Sequence, residues 1–257
     1  MTATTRTDST LAEPTVDVVY VVGEGSPWDD NELRFSLRSL SRNFPELRNV
    51  WVVGKNIPWL RNVRHLPFPD PYASNKDANM ISKVLRACIE PDLSETFVRF
   101  SDDQYLLLPT SCSDLGPYFR PDILQTKDFP ATAWGRRIVR TGRELSSRGL
   151  PTLNYESHVP VLYSKHRFAE TMLAYDYGQA DGYAINSLYF NSVGVTQAVD
   201  LRAARVRAAI FRPGRSQTQL RAFVRSRKFL NHNDFGLDAG LRAFLAELFP
   251  EPSPYEA

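Results

Sequence analysis

One stretch decides the fold class: residues 16–23, VDVVYVVG. It is nearly continuous in apolar residues, rich in β-branched side chains, and ends at the turn GEGSP, a pattern that predicts a buried parallel strand. A helix is predicted next, because Asp29 or Asp30 can cap it and apolar residues follow at spacings of four, three and four. Those residues are Leu33, Leu37, Leu40 and Phe44.

The alternation continues along the chain. Further strands are predicted at 49–54, near 62–66 and at 97–102, and a helix with an apolar face around Met80 and Val84 precedes the last of them. Strands that alternate with helices predict an α/β fold with a mainly parallel sheet and helices on both faces.

Two adjacent carboxylates, Asp102 and Asp103, follow the apolar run 97–100. An acid pair at the end of a buried strand can hold Mg²⁺ or Mn²⁺ against a diphosphate, since oxygen ligands suit hard cations. The alternative is a surface turn, because Ser-Asp-Asp is ordinary turn composition. Ligands of such sheets bind beyond the carboxyl ends of the strands, where Gly23 is also expected, and this favours a ligand site.

The pattern loosens after the acid pair. Residues 110–150 contain several prolines and a basic, helix-like stretch, which is typical of a lid or an acceptor-side insertion. Strand character returns at 153–163, and an amphipathic helix is predicted at 237–249. We expect a disordered tail at 1–15 and a single catalytic domain over 16–257, with a helical acceptor-side and C-terminal part.

Composition excludes several classes of protein. The 257 residues are 42% hydrophobic and 23% charged, as in an ordinary soluble domain. No stretch approaches the roughly 20 apolar residues of a membrane span, and the polar start lacks a signal-peptide core, so we expect a cytoplasmic protein. Neither a G-x-G-x-x-G motif after the first strand nor a P-loop is present, which disfavours dinucleotide dehydrogenases and P-loop kinases.

The segment 201–233 carries nine basic residues and no acid. Such a block can meet a nucleic acid, a membrane surface or a diphosphate, or can simply be a solvated face. Arg221, Arg225 and Arg227 are our candidates for contact with an acceptor. A nucleic-acid-binding module is therefore an alternative function, although no familiar reading motif is present.

Several blocks in the same order resemble a known family. They are DVVY at 17–20, DNELRFSLRS at 30–39, FSDD at 100–103, SHVP at 157–160 and ND at 233–234. Over residues 16–255 the chain resembles the Stealth-type sugar-phosphate transferases and short bacterial and phage glycosyltransferases related to them. The resemblance implies a nucleotide-activated sugar donor, a divalent metal and a GT-A-like, Rossmann-related sheet.

Two departures from the family pattern favour plain glycosyl transfer. Residues 21–25 read VVGEG where the family usually has Trp-Val-Asp/Asn-Gly, and Ser101 replaces an Asn. The expected function is metal-dependent transfer of a sugar from a nucleotide-diphosphate sugar to a hydroxyl of a glycan or of a hydroxymethylated DNA base. The alternative is a Stealth-type transfer of sugar 1-phosphate.

The resemblance assigns roles to the acids of the predicted rim. Asp103 and Asp234 are the expected ligands of Mn²⁺ or Mg²⁺, and Asp102 is expected to hold a water or a donor ribose hydroxyl. Asp234 has an alternative as the N-cap of the last helix.

Basic and polar side chains complete the expected site. Arg34 would bind the diphosphate near a helix N-terminus, with Asn31 and Glu32 orienting it or the nucleoside. Lys76, Asn79 and Lys83 are expected on the nucleotide side, with a solvated helix face as the alternative.

His158 is the expected catalytic base or phosphate contact, on the same face of its strand as Glu156. Glu156 and Asp181 are alternative bases, so the stereochemistry of transfer stays open.

Overall fold

The computed structural model describes residues 15–124 and 132–257. In chain order the elements are β1 (Val16–Val22), α1 (Asn31–Asn43), β2 (Leu47–Gly54), β3 (Arg64–Pro67), α2 (Lys76–Cys88), β4 (Thr96–Phe100), β5 (Gln104–Leu106), β6 (Tyr118–Ile123), α3 (Ala133–Ser147), β7 (Leu153–Asn154), β8 (Val161–Ser164), α4 (Lys165–Leu173), α5 (Ile185–Val193), β9 (Val199–Asp200), α6 (Leu201–Ala204), β10 (Arg207–Ile210), α7 (Gln217–Val224), β11 (Phe229–His232) and α8 (Ala239–Leu248).

The largest sheet has the strand order β3-β2-β1-β4-β8. Strand β1 lies in its centre and pairs in parallel with both β2 and β4, whereas β8 is antiparallel at the edge. Helix α1 packs Leu33 and Leu37 against one face, and α2 packs Ile81 and Val84 against the other. The predicted α/β alternation, the mainly parallel pairing and the two covered faces are confirmed.

Two three-stranded sheets extend this core, with strand orders β10-β11-β5 and β7-β6-β9. Strand β5 follows β4 directly and pairs antiparallel with β11, so the C-terminal part is joined to the end of the central sheet. That part contains strands as well as helices α7 and α8, whereas the sequence predicted a helical one. The segment 110–150 holds β6 and α3, and its residues 125–131 lie outside the described part of the chain.

Serines of α1 tie this helix to the strands beneath it. The Ser36 hydroxyl donates to the Gln104 carbonyl at 2.5 Å and lies 2.9 Å from the Tyr20 hydroxyl. The Ser39 hydroxyl accepts from the Leu106 backbone N–H at 3.0 Å. The serines of the block NELRFSLRS therefore satisfy buried backbone groups where β5 begins and ends.

The arginines of the same block anchor the last residues of the chain. Glu256 accepts hydrogen bonds from Arg34 at 2.9 Å and from Arg38 at 2.7 Å, and its side chain is 3% exposed. The backbone N–H groups of Arg61 and Ala257 donate to the carbonyls of Tyr255 and Trp59. The C-terminal segment is thus held on α1 and on the loop after β2.

Three local predictions are corrected. The predicted strand 153–163 is interrupted, because Asn154 accepts from the Glu156 N–H and the Ser157 N–H donates to the Tyr155 carbonyl, which turns the chain. His158 consequently lies outside the strands with φ of +53°. The last helix is capped by Asp238, whose carboxylate accepts from the Leu241 N–H at 2.8 Å, and not by Asp234.

At the start of α1, Asp30 occupies the N-cap position but makes no capping hydrogen bond, and instead pairs with Lys55 at 2.7 Å. The predicted disordered tail at 1–15 lies outside the described residues except for Thr15, whose N–H donates to the Glu46 carbonyl. Within the described ranges, every helix is too short or too polar to span a bilayer.

Replacing Glu256 by Gln should lower the free energy of unfolding by about 2 kcal/mol, because two arginines lose a buried counter-ion. Burial opposes ionisation of Glu256, but hydrogen bonds from Arg38, Ser253 and Arg34 lower its pKa from 4.5 to about 2. The stabilisation is therefore complete above pH 4.5 and is lost as the pH falls toward 2.

Urea unfolding of both proteins at pH 7 and near pH 2 measures this difference. Glu251→Gln, which removes an exposed acid from the same segment, is the control and should be nearly neutral. A loss of the same size at both pH values would contradict the role of the carboxylate.

Candidate active site

A cavity of about 360 Å³ opens beyond the carboxyl ends of β1 and β4. Its floor is formed where the chain leaves β1 at Gly23 and leaves β4 at Asp102, as parallel pairing of the two strands requires. Nine of the predicted site residues line it: Gly23, Glu32, Lys76, Asn79, Lys83, Asp102, Asp103, His158 and Asp234. The structure therefore brings together most of the residues that the sequence selected.

The most distinctive contact in the cavity joins Asp103 to His158. Nε2 of His158 lies 3.0 Å from Oδ2 and 3.2 Å from Oδ1 of Asp103. Burial opposes charge on both groups, but their attraction outweighs it, so the pKa of Asp103 is lowered and the pKa of His158 is raised. Because an ionised carboxylate only accepts, Nε2–H donates to Asp103, and in the neutral imidazole Nδ1 is the nitrogen that can accept a proton.

Asp102 has the opposite electrostatic character to its neighbour. Burial, the charge of Asp103 and the charge of Glu32 raise the pKa of Asp102 to about 7. Among the described residues no cationic side chain forms an ion pair with it. A cation in the cavity would relieve this repulsion, because two further acids lie close by.

A buried lysine supports the turn after β1. Nζ of Lys83 donates to the Val22 carbonyl at 2.8 Å and pairs with Asp70 at 2.6 Å, and the side chain is only 4% exposed. Close packing here also requires Gly54, since a Cβ at that position would lie 1.9 Å from the Val22 oxygen. The positive charge of Lys83 is thereby held under Gly23 at the cavity.

Glu32 enters the cavity from the first turn of α1. Its carboxylate accepts from the Ser26 hydroxyl at 2.8 Å, and Ser26 in turn accepts from the backbone N–H groups of Trp28 and Asp30. Burial raises the pKa of Glu32. These contacts fix the turn between β1 and α1 along one wall of the cavity.

Some residues of the cavity were missed by the sequence interpretation. His232 was not selected as a site residue; it ends β11, and its Nε2 lies 2.8 Å from the Tyr105 hydroxyl. Asp70 was not considered, although it follows β3 and the rule that ligands bind beyond strand ends would have selected it.

Other predicted residues lie outside the cavity lining. Arg34 binds Glu256 and its guanidinium lies 4.2 Å from the centre of the Trp59 ring, while Asn31 accepts from Arg34 and donates to the Trp28 carbonyl. Their positions therefore do not match the expected contact with a diphosphate in this cavity.

The three basic acceptor candidates lie on α7 and the turn after it. Arg221 pairs with Glu247, Arg227 donates to the Arg205 carbonyl, and Arg225 is exposed. The structure does not bring them to the cavity.

The alternative bases are also separated from the site. Glu156 accepts from the N–H and the hydroxyl of Ser187 and does not share a strand face with His158. Asp181 pairs with Arg136.

The chemistry of the acids suits a divalent cation, but their arrangement does not yet form a complete site. Asp102, Asp103 and Asp234 supply carboxylate oxygens, the ligands that Mg²⁺ and Mn²⁺ prefer. Within the described ranges, however, no three His, Cys, Asp or Glu side chains are grouped closely enough to hold a metal ion. Asp102 is the best placed of the three to bind a cation, because Asp103 is engaged by His158.

Comparison with curated proteins adds one similarity. The chain is similar to the exopolysaccharide phosphotransferase CpsY of Mycobacterium leprae. The two are 25% identical over an alignment of 290 positions, which covers 92% of this chain and 52% of the relative. The chain thus spans about half the length of the curated relative it matches. No family model matches the sequence.

Replacing Asp103 by Asn should lower the pKa of His158, because the carboxylate that favours the imidazolium is removed. Titration of the His158 ring by NMR in metal-free buffer measures the change. Asp92→Asn, which removes an exposed acid paired with Arg64, should leave that pKa unchanged. An unaltered His158 titration in the Asp103 variant would contradict the pairing.

Proposed function

We propose that this protein is a transferase that moves a sugar 1-phosphate group from a nucleotide-activated sugar to a hydroxyl group of an acceptor. The observation that carries the proposal is the pairing of His158 with Asp103 inside the cavity. An imidazole held by a carboxylate is a general base with a fixed orientation. The similarity to a protein named as an exopolysaccharide phosphotransferase supports sugar phosphate as the transferred group.

The donor would lie against the turn after β1. Lys76 and Lys83 supply positive charge there, and the N-terminus of α2, which carries Lys76, adds the partial charge of its backbone N–H groups. Because Asp70 already binds Lys83, the donor phosphate would share or replace that contact. Asn79, whose side chain bonds both backbone groups of Tyr72, fixes the wall of the cavity on this side.

The reaction needs one proton transfer by the protein. Nδ1 of His158 takes the proton of the acceptor hydroxyl while the hydroxyl oxygen attacks the phosphorus atom that bears the sugar. The bond from that phosphorus to the bridging oxygen breaks, and a nucleoside monophosphate leaves. Asp103 stabilises the resulting imidazolium, as its effect on the pKa of His158 indicates.

A divalent cation remains part of the proposal. Asp102, the best placed of the three acids, would bind Mn²⁺ or Mg²⁺ together with oxygens of the donor, and the cation would supply positive charge to the donor phosphates. The raised pKa of Asp102 makes this binding pH-dependent, since its carboxyl must be ionised to bind a cation.

Plain glycosyl transfer, which the sequence departures favoured, is the second candidate. The same base would then activate a hydroxyl that attacks the sugar carbon, the bond from that carbon to the phosphate oxygen would break, and a nucleoside diphosphate would leave. The departures from the family pattern at residues 21–25 and at Ser101 support it. The nucleotide product separates the two reactions.

A screen of nucleotide sugars with Mn²⁺, read by mass spectrometry of the released nucleotide, tests the function. We expect a nucleoside monophosphate, and a diphosphate would establish glycosyl transfer instead. His158→Asn should lower kcat by about 10²- to 10⁴-fold, because the base is lost. Asp103→Ala should abolish donor turnover.

The matched control is His166→Asn, which removes an exposed histidine that pairs with Glu95 and should leave turnover unchanged. Full activity of the His158 variant would refute the assignment of the base. If the unmodified protein releases nucleotide from none of the donors, the proposed function itself fails.

A further inference from the structure

Two exposed aromatic side chains lie next to residues of the candidate site. Phe211 is 43% exposed and Phe235 is 68% exposed. Phe211 follows β10 directly, and Phe235 lies in the short turn Asp234–Gly236 that follows β11. Because β10 and β11 are parallel, both residues emerge at the same end of their sheet.

Both residues adjoin the cavity. The rings of Phe211 and His158 are stacked, with centroids 6.5 Å apart and an interplanar angle of 27°. Phe235 follows Asp234, which lines the cavity. The exposed rings therefore border the part of the rim where an acceptor hydroxyl must approach Nδ1 of His158.

The backbone that carries these rings is held by hydrogen bonds and close packing. The Asn233 N–H donates to the Ile210 carbonyl, and Gly236 packs so closely on that carbonyl that a Cβ would lie 2.1 Å from its oxygen. The loop after Phe211 is fastened by a hydrogen bond from the Gly214 N–H to Asp238 at 2.7 Å. Contacts within the chain thus order the backbone beneath the rings, which lowers the entropy cost of binding.

One positive charge at this rim has no counter-ion among the described residues, although Asp234 adjoins Phe235 and Asp238 accepts from the Gly214 N–H. Arg212, next to Phe211, is exposed and forms no ion pair with any described residue, whereas Arg215 lies over the Phe223 ring at 4.3 Å. A guanidinium left in water beside two exposed rings complements a ligand that has both an apolar face and an anionic group.

We propose that Phe211, Arg212 and Phe235 form the acceptor subsite of the transferase proposed above, and that the acceptor is an acidic saccharide. One face of a pyranose ring presents C–H groups, which pack against the electron-rich faces of aromatic rings. A carboxylate or phosphate on the saccharide pairs with Arg212. The stacked sugar places its hydroxyl at His158.

Binding of hexagalacturonate and of neutral maltohexaose to the full chain, measured by calorimetry, tests the subsite. The unmodified protein should bind the acidic hexasaccharide more tightly. Phe211→Ala and Phe235→Ala should each weaken binding of both sugars about tenfold, because stacking area is lost. Phe211→Trp should retain it. Arg212→Gln should weaken only the acidic sugar, by about three- to tenfold, and reduce its salt dependence.

Two controls match these changes. Ile89→Ala removes another exposed apolar side chain, and Arg202→Gln another exposed arginine, and neither should alter binding. The proposal is overturned if neither hexasaccharide binds or if the aromatic variants bind as the unmodified protein does. Binding of oligothymidylate, weakened in the aromatic variants while the hexasaccharides do not bind, would assign the surface to nucleic acid instead.

The outcome is separable from that of the proposed function. The subsite alone would be refuted if the unmodified protein releases nucleotide and none of the three substitutions changes the affinity for the hexasaccharides. If the three substitutions weaken hexasaccharide binding but the protein releases no nucleotide, the transferase is refuted and a saccharide-binding surface is left.

Discussion

The parallel pairing of β1 with both β2 and β4 is the constraint on which the site depends. It sets Val22 beside Gly54 and Tyr20 beside Phe100, so the chain leaves β1 and β4 at the same end of the sheet. The buried Nζ of Lys83 then bonds the Val22 carbonyl and fixes the turn that follows. A shift in this register would separate Gly23 from the acid pair, because successive residues of a strand face opposite sides.

The neighbouring acids Asp102 and Asp103 have different pKa values because their surroundings differ. The positive charge of His158 lowers the pKa of Asp103, whereas burial and like charges raise the pKa of Asp102 to about 7. Pairs of carboxyl groups whose pKa values are driven apart are typical of active sites, where one group orients a base and the other responds to a bound cation.

Periodicity was enough to predict the α/β alternation, both covered sheet faces and the rim that holds Asp102. It failed where local hydrogen bonds compete with strand pairing, as at Asn154 and Ser157, and so it misplaced His158. The sequence placed Arg34 at a bound diphosphate, whereas the structure pairs it with Glu256, a partner 222 residues away that local sequence does not reveal. The sequence does not show that Phe211 lies beside His158, because that contact depends on the tertiary structure.

The ion pairs between Glu256 and α1 have a consequence for the kinetics of folding. Helix α1 brings Glu32 into the cavity, and Glu256 holds the same helix through ion pairs with Arg34 and Arg38. Contacts of such long sequence separation form slowly, and on a ribosome they cannot form until synthesis has passed them. The wall of the cavity that α1 forms is therefore expected to gain its last stabilising contacts late in folding.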